Sequence, residues 1–283
     1  RDAQESRGLG DVYKRQEDHI PCGYSGICSN GKMLLLSTVC RKNGGDIIYT
    51  STDSGESWKI IMNRLEYSRF DWNIPYMKPR YNGGGNCVHW ISDIKLSPFD
   101  SDTALFNTGT GLFMITGLAI GDVLVKPFCE GIEETVHLNV YTTPHGRNRI
   151  IDIIGDLGGF AFKDYDSECE NSFANEKGDR YITCLNADLT LSDPEYIVAT
   201  PRGNWTGKTK GGLILSKDCG STWERLPMPR GLSEFIDQKL DNIEKPNVDS
   251  GWTAISADGK RIMWAVAGGR GFSNKAVCYT DDE

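Results

Sequence analysis

The chain has 283 residues and a net charge of −8 from 39 acidic and 31 basic residues, with 32 glycines and an aromatic share of 10%. That length is enough to bury a sizeable core, and the glycine content with short scattered apolar runs favours a β-rich chain. No Lys/Arg block could neutralise a run of phosphates and no apolar stretch approaches the roughly 20 residues of a membrane span, so neither nucleic acid nor membrane is an expected partner.

Residues 1–16 are polar, lack strand-like alternation and read as a segment foreign to the fold. From Glu17 onwards strand-sized apolar runs alternate with Gly, Asn and Asp clusters, as in Met33 to Val39, Asp46 to Tyr49, Ala104 to Phe106 and Ile150 to Ile154. The nine cysteines include no Cys-x-x-Cys pair and no zinc-type spacing with His, so no metal and no cofactor is expected. Their number suits an oxidising, extracellular setting. Cys22, Cys28 and Cys40, and Cys169 with Cys184, are close enough in sequence to staple local loops. Asn204-Trp205-Thr206 is a glycosylation pattern that agrees with secretion.

Ser51-x-Asp53-x-Gly55-x-x-Trp58 and Ser216-x-Asp218-x-Gly220-x-x-Trp223 are two copies of one motif, the Asp-box. Each follows a strand-like run, which places it on a hairpin. The Asp accepts hydrogen bonds from turn amides, the Gly permits positive φ and the Trp packs beneath. Thr280-Asp281-Asp282-Glu283 matches the start of a third copy. One such hairpin per blade, at roughly 40 to 50 residues each, predicts an all-β chain of β-propeller blades, cut at both ends. The box is scaffold, so function must come from other residues.

Three further blocks are distinctive. His89-Trp90-Ile91-Ser92-Asp93 running on to Gly109-Thr110-Gly111, then Gly131-Ile132-Glu133-Glu134-Thr135, then Ile154-Gly155-Asp156-Leu157-Gly158-Gly159-Phe160 stand in the order found in glycoside hydrolase family 74, which this chain resembles from about residue 45 onwards. The resemblance implies tandem seven-bladed propellers with a polysaccharide cleft between them. Residues 17–80 would be the last part of the first propeller and 81–283 the opening blades of the second. It implies an inverting hydrolase of a β-1,4-glucan backbone such as xyloglucan, monomeric, using two aspartates. The resemblance places the second aspartate upstream, so the chain alone is expected to be inactive.

Asp156 matches the family's second-propeller aspartate and is assigned as general acid, with partial burial expected to raise its pKa. Gly158 and Gly159 beside it would let a sugar ring approach. His89 and Trp90 are the first choice for a sugar platform, since aromatic faces suit pyranose C–H groups. Trp72, Tyr76, Tyr81 and Trp205 are further loop aromatics, whereas Trp252 and Trp264 read as core. Glu133 and Glu134 are secondary candidates as adjacent carboxylates. Asp93, Asp100 and Asp102 read as turn formers, His137 and His145 as residues of ordinary surface or core roles, and Gly268 to Gly271 as a hairpin loop. The competing readings are a sialidase, whose arginine cluster is not visible, and a non-catalytic sortilin-like or carbohydrate-binding Asp-box propeller.

Overall fold

The structure, a computed structural model, describes residues 23–39, 45–63, 68–77, 88–133, 135–169, 172–203, 209–227, 229, 250–267 and 277–280. These residues form nineteen strands in five sheets and no helix, arranged in two compact units, Arg1–Glu134 and Thr135–Glu283. Segment 1–16, Cys22, Cys40, Cys87, Tyr81, Glu134, the Asn204 sequon, Gly268 to Gly271 and the last three residues lie outside the described ones.

In the first unit, β1 (Tyr24–Ser29), β2 (Leu34–Thr38), β3 (Ile48–Ser51) and β4 (Lys59–Met62) form an antiparallel meander in chain order. A second meander runs through β6 (Asp93–Leu96), β7 (Thr103–Thr108), β8 (Gly111–Thr116) and β9 (Val123–Pro127), with β5 (Ser68–Phe70) added in parallel to β9. Period-two patterning drives the packing: Val123 and Val125 are buried on one face of β9 while Leu124 and Lys126 are partly exposed on the other. The core gathers Leu35, Ile48, Met62, Ile94 and the stacked pair Phe106 and Phe113, whose ring centroids are 5.4 Å apart. The meanders meet at β1 and β6, so closely that a Cβ on Gly26 would stand 2.8 Å from Ile94 N. Asp100 and Asp102 are turn formers, as expected: Asp100 accepts from Asp102 N and Thr103 Oγ1, and Asp102 accepts from Gly117 N and Ala119 N.

The second unit has three meanders. They are β10 (Val136–Thr142), β11 (Ile150–Gly155) and β12 (Gly158–Phe162); β13 (Cys184–Leu189), β14 (Ile197–Pro201), β15 (Ile214–Ser216) and β16 (Glu224–Arg225); and β17 (Ser250–Ile255), β18 (Ile262–Ala267) and β19 (Val277–Thr280). The first strands of successive sheets lie side by side and exchange polar contacts. Tyr141 Oη on β10 accepts from Asn186 Nδ2 on β13, while Asn186 Oδ1 and Asp188 Oδ2 accept from Thr253 N and Ile255 N on β17. Burying Asn186 is tolerated because both ends of its amide find partners. Within each unit, such stacked meanders are propeller blades.

Both Asp-boxes close hairpins, between β3 and β4 and between β15 and β16, with matching hydrogen bonds. Ser51 Oγ donates to Asp53 Oδ1 at 2.7 Å and accepts from Gly55 N at 2.9 Å, and Ser57 N donates to Asp53 Oδ1 at 2.9 Å. Ser216, Asp218, Gly220 and Thr222 repeat this at 2.8, 2.7 and 2.8 Å. Gly55 and Gly220 have φ of 90° and 82°, the reason for glycine there. Trp223 is 4% exposed and lies 4.5 Å, centroid to centroid, from Phe173. Trp58 is only half-buried and donates its indole N–H to Gly55 O.

Hydrogen bonds from the Ser57 hydroxyl and amide, then from Ser51, hold Asp53 at about 2, below the usual 3.8. At Asp218 burial alone would raise the pKa, yet bonds from Thr222 and Ser216 outweigh it and the net shift is downward. A depressed carboxylate contributes its stability above the unfolded value, and that contribution is lost as pH falls through the folded one. The first box is therefore expected to stay closed at pH 4 and open as the pH approaches 2. Amide exchange at Ser57 reports this; exchange that quickens already between pH 5 and 4 would contradict it.

Of the described cysteines, Cys28, Cys129, Cys184, Cys219 and Cys278 are free thiols, so Cys184 does not form the local staple with Cys169 that their spacing allowed. Cys184 is fully buried in the core of the second unit beside Ile151 and Phe173, and burial pushes its thiol up to about 12.

Candidate functional site

The hairpin joining β11 to β12 carries the residue of greatest interest. Ile151 and Ile153 anchor β11 in the core. The last pair of the ladder is Ile154 with Gly158, leaving Gly155, Asp156 and Leu157 to make the turn. Asp156 adopts φ of 62°, a left-handed conformation that short polar side chains tolerate better than most. Its amide donates to Thr183 Oγ1 at 2.9 Å, which pins the turn to the segment before β13. The residue is exposed, so the described residues do not supply the partial burial expected of it.

Gly158 and Gly159 have a local structural reason. Gly158 has φ of 83°, donates to Ile182 O at 3.0 Å, and a Cβ on it would lie 2.8 Å from Tyr181 O. A Cβ on Gly159 would lie 2.7 Å from both Asp152 O and Phe173 Cε2. Both glycines are buried, and the space beside them is filled by the 172–183 segment. Gly159→Ala is expected to cost about 1–3 kcal/mol, because backbone and an aromatic ring must both move. Urea denaturation reads this; an unchanged midpoint would show that the segment yields freely.

Within the first unit, Trp90 is 55% exposed, has φ of 61° and lays its ring against Gly109, where a Cβ would lie 2.9 Å from Cε3. His89 packs edge-on at 4.9 Å between ring centroids. Positive φ is uncommon for a bulky residue and persists where the surroundings enforce it. The enforcing residue is Asp46, 1% exposed: its amide donates to Val88 O, and its carboxylate accepts from Ile91 N and Thr38 Oγ1. Asp46 escaped the sequence reading, which took it only as the start of the strand-like run to Tyr49.

The other candidates divide. Glu133 is exposed. Trp72 is partly buried and packs against the core, stacked on Phe70 at 5.4 Å, and Tyr76 donates its hydroxyl to Thr110 O. Trp264 is core as expected, at 2% exposure, but Trp252 is 67% exposed. The register explains this: Thr253 pairs with Trp264, so the neighbouring Trp252 points to the opposite face. His137 is not an ordinary surface residue, since its ring bridges Thr135 and the buried Asp152. Among the described residues no group of three His, Cys, Asp or Glu could hold a metal ion, and no helix is long and apolar enough to cross a membrane.

No family model matches the chain. Among curated proteins it is similar to a xyloglucanase of Paenibacillus sp, 23% identical over 91% of this chain and 25% of that protein. An oligoxyloglucan-reducing end-specific xyloglucanase of Emericella nidulans is 25% identical over 87% of this chain and 33% of that protein. Among solved structures, the glycoside hydrolase family 74 (GH74) xyloglucanase of Xanthomonas campestris superposes on 92% of the chain with a TM-score of 0.70 at 21% identity. The chain has the GH74 fold. The GH74 enzyme of Niastella koreensis agrees, with a TM-score of 0.67 at 19% identity over 92% of this chain. The chain spans about a quarter to a third of the length of these relatives.

Proposed function

We propose that this chain is part of a secreted GH74 glycoside hydrolase that cleaves a β-1,4-glucan backbone of the xyloglucan type by inversion, with Asp156 as general acid. The observation that carries the reading is the similarity to xyloglucanases over about nine-tenths of the chain, joined to an exposed aspartate on a pinned hairpin tip at the matching motif. Hydrolysis with inversion needs one carboxylic acid to protonate the leaving oxygen and a second carboxylate, roughly 6.5 to 9.5 Å away, to activate water. The turn bonded to Thr183 holds Asp156 out from the blade, where a leaving glycosidic oxygen can reach it. The second carboxylate is assigned to a part of the protein outside this chain.

His89 and Trp90 are proposed as a sugar platform, the ring held outward by the Asp46 clamp. The protein is proposed to be monomeric; a propeller boundary at residue 80, as the resemblance implied, is not retained, because β1–β4 and β6–β9 share one core and β5 pairs with β9. A full-length protein carrying this sequence should release oligosaccharides from xyloglucan while leaving sialosides intact. Release of sialic acid, or binding of xyloglucan with no cleavage, would replace the reading with one of its two competitors.

A further inference from the structure

We propose that Thr135, His137 and Asp152 form a second reactive site, a nucleophile–base–carboxylate triad able to accept an acyl group from a small ester. The proposal does not depend on the hydrolase reading and uses none of the residues proposed for its acid or its sugar platform. His137 Nε2 lies 2.7 Å from Thr135 Oγ1, and His137 Nδ1 lies 3.0 and 2.9 Å from the two oxygens of Asp152. A hydroxyl within reach of an imidazole whose other nitrogen is held by a carboxylate is the geometry of an activated nucleophile.

The protonation pattern follows from the partners. An ionised carboxylate only accepts, so Nδ1 carries the proton given to Asp152; in the neutral ring Nε2 is then the acceptor, and the Thr135 hydroxyl must donate to it. Asp152 is only 9% exposed at its side chain, which fixes the carboxylate, whereas the His137 side chain is 56% exposed and Thr135 partly so. The fixed end of the relay is thus buried and its reacting end meets solvent. The β10–β11 ladder shifts register between His137 and Asn139, a bulge of the kind that re-aims a side chain.

In the reaction, Thr135 Oγ1 attacks the ester carbonyl carbon while His137 Nε2 takes the hydroxyl proton. The C–O bond to the alcohol breaks, and that alcohol leaves with the proton from Nε2. Water, deprotonated by the same nitrogen, then hydrolyses the acyl-threonine and regenerates the hydroxyl. No oxidant or reductant is involved.

The test incubates the full chain with 4-nitrophenyl acetate and locates acetyl groups by mass spectrometry of peptides, with circular dichroism confirming that each variant folds. Acetylation at Thr135 is expected, retained in Thr135→Ser and absent in Thr135→Ala. Loss of the general base in His137→Asn, or of the ring's orientation in Asp152→Asn, should slow it by roughly 10²–10⁴-fold. The absence in the folded protein of both acetyl-Thr135 and Thr135-dependent release of 4-nitrophenol, or an unchanged rate in His137→Asn, overturns the proposal.

Discussion

Asp156→Asn in the full-length protein is expected to lower the rate of xyloglucan cleavage by roughly 10²–10⁴-fold, the usual contribution of a positioned general acid. The amide keeps the shape of the carboxylate, and the contact that pins the turn is made by the backbone amide with Thr183 Oγ1, so the hairpin should persist. The loss should depend on the leaving group. An aryl glycoside with an acidic phenol departs without protonation and should lose far less than the polysaccharide does. A variant that loses activity equally on both substrates would make Asp156 a structural residue of the turn.

Trp223→Ala is expected to destabilise the second unit by about 3–5 kcal/mol, against a total of about 5–15 for a typical domain. The ring is 4% exposed, tilted against Phe173 at 4.5 Å, and belongs to the core of Ile151, Ile214 and Cys219. Its deletion leaves a cavity beneath a hairpin with nothing positioned to fill it. Trp58→Ala, at the equivalent position of the first box, removes a half-buried ring and should cost clearly less. Urea titrations of both variants read the difference, and equal costs would contradict the burial argument. The indole N–H groups also differ: Trp58 donates to Gly55 O, while Trp223 Nε1 is buried without a hydrogen-bond partner. Trp223 thus contributes through apolar packing alone.

The Asp-boxes were legible because their chemistry is local. Ser, Asp and Gly at fixed spacing dictate one turn, and the two copies share one hydrogen-bond pattern. The blade architecture followed from that repeat together with period-two apolar runs. Long-range partnerships were not legible. Nothing in the sequence around Asp46 announces that it will clamp Ile91, and nothing near His137 points to Asp152 on the neighbouring strand. The pair Gly158-Gly159 shows the same limit: a tight approach was readable, but the approaching partner is the 172–183 segment of the chain itself. Trp252 was misplaced because an apolar strand gives no phase until its register is known, and pairing of Thr253 with Trp264 sets it facing outward. Spacing likewise suggested a Cys169–Cys184 bridge, whereas Cys184 is committed to the core as a free thiol.

The most direct test of the account is proton NMR of xyloglucan during its first minutes of digestion by a full-length protein carrying this sequence. The account predicts new reducing ends that appear first as the α-anomer, the product of inverting a β-linkage, and then mutarotate. A folded protein that produces no reducing ends would contradict the hydrolase reading, and β-anomers appearing first would contradict the two-aspartate inverting mechanism.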